Sequence, residues 1–253
     1  MSPNTRRHLQ SAAVIIGFFL FWEAACVLFH VKEIVLPRPS QILVTLWERA
    51  PAIWPHTVQT LYTTLVGFAL GIVSGVLIGV LIGSSRLAYD VGYPLLVGFS
   101  SIPKVAVVPI FVLWFGAGTV PAVLTAMIMS LFPIVVNVAT GLATTEPELE
   151  DVMKALRATK LDILFNVGLP RAMPYFFASL KVAIAASLIG TIVGELPTGA
   201  IEGLGARMLI GSQFGDPLIM WSALFAAAIL AGLLIVAVGF VERIARARMG
   251  VPA

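Results

Sequence analysis

Glu148–Pro174 reads ELEDVMKALRATKLDILFNVGLPRAMP, the one long polar interruption in a chain that otherwise reads as lipid-facing helix. It sets Glu148, Glu150, Asp151 and Asp162 against Lys154, Arg157, Lys160 and Arg171. Leu149, Val152, Met153 and Leu156 recur at i, i+3, i+4 and i+7, which is one face of a helix. Thr144, Thr145 and the carboxylates after them suit a helix start, because negative charge complements the positive end of the helix dipole. A second short helix is expected from Lys160 to about Val167, stopped by Pro170 and Pro174. The stretch therefore predicts a pair of short amphipathic helices, within a loop over residues 144–174, joining two membrane spans.

Composition supports the membrane setting. The 253 residues are 59% hydrophobic and 11% charged, with a mean hydropathy of +0.99. A soluble domain carries roughly 25% charged residues. The expected fold class is an all-α polytopic membrane protein, with residues 1–253 forming a single transmembrane domain. A span needs about 20 apolar residues. Six candidates meet this, at about 11–29, 60–83, 91–115, 120–143, 175–196 and 218–240. The first is expected to be an uncleaved span rather than a signal peptide.

Charge placement sets the direction of these spans. With the N-terminus inside, the inside segments hold Arg6, Arg7, Arg86, Lys154, Arg157, Lys160, Arg171, Arg243, Arg246 and Arg248. The outside ones hold only Lys32, Arg38, Arg49 and Arg207. Lys and Arg accumulate on the cytoplasmic side, so both termini and the polar loop are expected there. The formal net charge of +3 reflects this edge placement and does not point to nucleic acid. Cys26 is the one cysteine, so no intrachain disulfide can form.

Two spans have unusual composition. In span two, Gly67, Gly71, Gly75, Gly79 and Gly83 recur every four residues and predict a smooth ridge for close helix packing. Span three contains IPKVAVVPIFVLWFG, Ile102–Gly116, whose two prolines leave backbone carbonyls that neighbours or water must satisfy. Between spans one and two, Ser40 is expected to cap a short helix to about Arg49, with Ile42, Leu43, Leu46 and Trp47 as its apolar stripe. Another short helix is expected between Pro197 and Pro217.

The polar loop resembles the coupling loop of permease subunits of ATP-binding-cassette importers. In that family it opens on a Glu-Ala-Ala triplet, carries a Gly six residues after the Glu, and closes on Leu-Pro. Leu169-Pro170 matches the close. Asp151, Val152 and Met153 occupy the triplet, and Arg157 occupies the Gly position. Asp151 keeps the carboxylate. Val152 and Met153 replace small residues, and Arg157 replaces a residue that eases a turn needing positive φ. Ile102–Gly116 strongly resembles the third-span motif of the nitrate, sulfonate and taurine branch of these permeases. Lys181, Val193-Gly194-Glu195 and Gly203-Leu204-Gly205 match as well, so the likeness runs from about Leu36 to Arg248.

The resemblance implies a type I importer permease in a bacterial inner membrane, paired with a second copy as a homodimer. Two separate ATPase subunits and an external solute-binding protein would complete it. Leu149, Asp151, Val152, Met153, Leu156, Arg157 and Lys160 would couple it to the ATPases. The solute would be a nitrate-, sulfonate- or taurine-like anion, or a heterocyclic vitamin precursor. The run Gly194–Gly199 looks more like the heterocycle members. The alternative is an ATP-independent secondary transporter or channel, which would favour inverted repeats; no convincing repeat joins the two halves.

Ionisable residues at bilayer depth are costly, and candidates for function. Lys104, Lys181 and Glu195 are candidates for a pathway or gate. Lys104 could alternatively snorkel to the inner interface. Glu23 is expected to be hydrogen-bonded or near the outer headgroups. No G-x-x-x-x-G-K-[ST] loop is present, so ATP hydrolysis by that device would belong to another chain. His8, His30 and His56 are scattered, and no metal, cofactor or catalytic residue is expected.

Overall fold

The computed structural model describes residues 3–197 and 202–249. Among them there are helices and turns and no strands. The first helix, α1 (Pro3–Leu28), leads into the short α2 (Pro39–Glu48), and α3 (Ala50–Gly83) follows. After α4 (Arg86–Ser100) comes a 3-10 turn over Lys104–Val107, then α5 (Val108–Phe115) and α6 (Thr119–Ala143). The polar stretch forms α7 (Pro147–Ala155), α8 (Lys160–Ile163) and a π turn over Leu164–Gly168. The chain ends in α9 (Leu169–Glu195), α10 (Leu204–Gln213) and α11 (Pro217–Met249).

The core is α3, α6 and α9, and glycine is what lets them close. A Cβ on Gly67 would run into Ala126, and one on Gly71 into Ser130. On Gly75 it would meet Ile134 at 2.9 Å, on Gly79 Val138 at 2.8 Å, and on Gly83 Leu142 at 2.8 Å. The α6 partner advances by four whenever the glycine does, so α3 and α6 are parallel. Where α9 packs on α6 the direction reverses. Gly190 lies on Ala126 and Gly194 on Ala122, while Gly141 lies on Ala172. α9 is therefore antiparallel to α6. In lipid, where water exclusion no longer drives helices together, such backbone approach supplies the attraction.

The parallel pairing determines how the chain crosses. Five helices are long and apolar enough to span a membrane, and α4 with the turn and α5 form a sixth candidate bent by 77°. A chain that leaves the far end of α3 and re-enters at the near end of a parallel α6 must cross once in between. The bent pair is thus one broken span. The third span, expected at about 91–115, is interrupted at Ser101–Pro103, where Pro103 cannot continue the α4 ladder. α1 runs antiparallel to α11 through Trp22 on Trp221 and Phe19 on Phe225. Much of its remaining apolar surface, including Leu20 and Phe21, stays exposed, while Cys26 is buried.

Several local expectations change. α7 starts at Pro147, with Glu146 at its cap, while Thr144 instead closes α6. Pro170 and Pro174 do not stop a helix: Pro170 lies in the first turn of α9, just after the π turn, and Pro174 lies inside it. α2 begins after Arg38, whose N–H is taken by Gln41 Oε1 at 3.0 Å. Ser40 gives its N–H and hydroxyl to Glu23 at 3.0 and 2.8 Å, tying α2 to α1. Of the α2 stripe, Ile42 is buried and Leu46 half-buried, while Leu43 and Trp47 remain exposed.

Candidate functional site

The polar stretch folds as a capped elbow. α7 ends with Ala158 N–H on Met153 O (3.0 Å) and Arg157 N–H on Lys154 O (2.9 Å), a Schellman pair. That motif puts its penultimate residue in the left-handed region, and Arg157 has φ +62°. Next, Thr159 opens α8 with a capping box. Its Oγ1 accepts from Asp162 N–H at 3.2 Å, and its own N–H donates to Asp162 Oδ2 at 2.8 Å. The π turn then passes directly into α9, so α8 and the long helix form one continuous helical arm. At the base, Arg171 pairs with Glu146 at 2.9 Å and closes the elbow.

The predicted apolar face divides. Leu149 and Met153 are half-buried. Val152 and Leu156 project, at 57% and 73% exposure. Leu161 and Phe165, which the sequence reading passed over, are exposed beside them in the chain at 64% and 63%. Asp151 pairs with Lys154 at 3.2 Å, and Arg157 and Lys160 are exposed. An amphipathic patch is thus held out from the end of the bundle by well-capped backbone.

The other candidates occupy three separate places. At the opposite end of α9, Glu195 is 3% exposed. It accepts from Thr60 Oγ1 at 2.9 Å and from Gly205 N–H at 2.9 Å. Leu204 N–H in turn donates to Thr60 Oγ1 at 2.8 Å, and Gly203 N–H to His56 Nδ1 at 3.0 Å. Gly203 has φ +127°, and a Cβ there would meet the Glu195 carboxylate at 2.5 Å. Further along the α3–α9 seam, Thr64 bonds Thr191 at 3.0 Å and Ser187 bonds Thr64 O at 3.0 Å. The carboxylate and helix-start donors thus pin α10 onto α3 and α9. Thr198 and Gly199, part of the Gly194–Gly199 run, lie outside the described residues.

Lys181 meets Glu242 at 2.6 Å, and Arg246 meets the same carboxylate at 2.9 Å while lying over the Phe177 ring. Glu242 was not anticipated. Its spacing of four from Arg246 was a readable helix pair, but its bond to Lys181 exists only across the α9–α11 contact. Lys104 directly follows the break of the third span. Its Nζ donates to Ser100 O at 2.8 Å, closing the end of α4, and sits 4.7 Å from the Phe132 ring centre on α6.

Comparison with known proteins places these features in context. The family described as "Binding-protein-dependent transport system inner membrane component" matches residues 67–250. The riboflavin transport system permease protein RibX of Chloroflexus aurantiacus is 34% identical, over 89% of this chain and 84% of its own. The formylaminopyrimidine transport permease protein ThiX of Halalkalibacterium halodurans is 31% identical, over 83% of this chain and 84% of its own. A chain of the MetNI methionine ABC transporter in an inward-facing conformation superposes with TM-score 0.59 at 22% identity, covering 76% of this chain and 93% of that one. That likeness bears on the fold.

Proposed function

The chain belongs to the family of binding-protein-dependent transport system inner membrane components, and from that premise we propose that it is the membrane subunit of an ATP-driven importer, working as a pair of copies. The observation that carries the reading is the elbow. It is capped at each turn, continuous with α9, and presents Val152, Leu156, Leu161 and Phe165 away from the bundle. ATPase subunits would grip this patch from the cytoplasm, the side that the Lys and Arg bias assigns to it. An external binding protein would dock at the opposite end, beside α2 and α10.

ATP binding would draw the two ATPases together and move both elbows. Because α8 runs through the π turn into α9, a displaced elbow tilts α9 instead of flexing a loop. The Lys181–Glu242–Arg246 cluster passes that tilt to α11, and the α6 packing carries it into the core. The pathway then alternates between its two openings. The solute is a nitrate- or sulfonate-like anion or a heterocyclic vitamin precursor. The riboflavin and formylaminopyrimidine permeases among its relatives support the heterocycle.

Leu156→Asp and Val152→Asp test this reading. Both side chains are exposed, so neither change disturbs the bundle. Placing a carboxylate in an apolar groove forfeits about 1.5–3 kcal/mol of burial besides the cost of the charge. Uptake in proteoliposomes is expected to fall more than tenfold with permease levels unchanged. Normal uptake by both variants would refute the assignment of this patch.

A further inference from the structure

The break in the third span lies where the bilayer is most apolar. Phe132, under the Lys104 ammonium, stands thirteen residues after the start of α6 and eleven before its end. At 1.5 Å per residue the ammonium is about 16–20 Å from either end of that helix, beyond the reach of a four-carbon stem. Snorkelling does not account for it. No carboxylate among the described residues pairs with it. Among the described residues one of its three N–H donors has a hydrogen-bond acceptor, Ser100 O.

The backbone around it is equally out of place for lipid. Ser101 makes the last α-helical bond of α4, to Val97 O, after which Ile102 and Pro103 leave the ladder, and all three are exposed on the protomer surface. Val105 and Ala106 are exposed too. Irregular backbone at this depth is tolerated only where protein covers it or where it lines water. A mid-bilayer cation that no described carboxylate neutralises has the same requirement. α1 differs: its exposed Leu20 and Phe21 sit on unbroken helix that lipid can solvate.

We infer that the Ser101–Lys104 break lines the water-filled solute pathway, and that Lys104 presents donors and positive charge to a solute rich in hydrogen-bond acceptors. This rests on the importer reading above. Anions and carbonyl-bearing heterocycles both meet that description. Glu195, by contrast, is enclosed within one protomer, and Lys181 is occupied by Glu242, so neither supplies such a feature here.

The test uses charged thiol reagents on the complex purified with its ATPase partner. In a Cys26→Ala background, Ser101→Cys is treated with a sulfonate-bearing and an ammonium-bearing methanethiosulfonate, each rate normalised to a free thiol. The expected result is reaction at Ser101→Cys with the anionic reagent favoured about five- to tenfold, as one nearby charge at intermediate dielectric would give. Lys104→Gln should abolish that preference while leaving the site reactive. Phe21→Cys should not react. Ile102→Cys serves if Ser101→Cys fails to assemble. An unreactive break, with and without ATP, overturns the pathway placement. Equal rates for the two reagents overturn the role of Lys104. A permease that never carries an ATPase overturns the importer reading instead, and is recognised separately by the composition of the purified complex.

Discussion

Arg157 shows how one side chain can be at odds with its backbone. The turn between α7 and α8 needs a left-handed residue, and Arg157 adopts φ +62° to supply it. For a residue with a Cβ that conformation costs about 1–2 kcal/mol. Glycine removes the clash but gains freedom in the unfolded chain, so the net is smaller. Arg157→Gly is expected to stabilise the elbow by about 0.5–1 kcal/mol, read as a higher Tm of the detergent-solubilised complex; a lower Tm would show that the arginine side chain contributes more than its backbone loses. The sequence pointed to this position, since Arg157 stands where similar loops place Gly. Glu195 was flagged as well, but only its burial and its bonds to Thr60 and Gly205 show that its carboxylate pins α10 within the chain.

Among the elements, the α3–α6 seam is the most readable. Five glycines at a spacing of four predict a packed ridge, and α6 answers with Ala126, Ser130, Ile134, Val138 and Leu142 at the same spacing. A side chain at Gly75 has nowhere to go, because Ile134 would lie 2.9 Å from its Cβ. Gly75→Leu should cost about 2–3 kcal/mol through overpacking. Ile134→Ala alone should leave a cavity, and the double variant should recover much of the loss. Additive losses, measured by thermal unfolding, would mean the two positions do not share the space. The elbow was less legible as an element. Its two prolines read as stops, whereas the chain carries Pro170 just after the π turn and Pro174 inside α9 without ending the helix.

For the molecule as a whole, helix directions place the elbow, the α3–α4 turn and the end of α11 at one face, with α2 and α10 at the other. Labelling of whole cells checks this. In the Cys26→Ala background, Ser84→Cys and Lys160→Cys should resist an impermeant maleimide until the cells are opened, whereas Glu33→Cys should react at once. External labelling of Lys160→Cys would invert the orientation and remove the elbow from any cytoplasmic ATPase.

Hydropathy and charge, which are properties of single residues and their neighbours along the chain, were enough to reveal a helical membrane protein, its spans and the polar loop. Helix spacing was enough to expose the glycine ridge, because a repeat of four is local. What had to await packing was every relation between distant residues: the parallel α3–α6 register, the Lys104 ammonium over Phe132 of α6, and the Glu242 bridge to Lys181. These depend on which faces meet and at what angle, and the free energy of such contacts is shared between segments that one-dimensional order keeps apart.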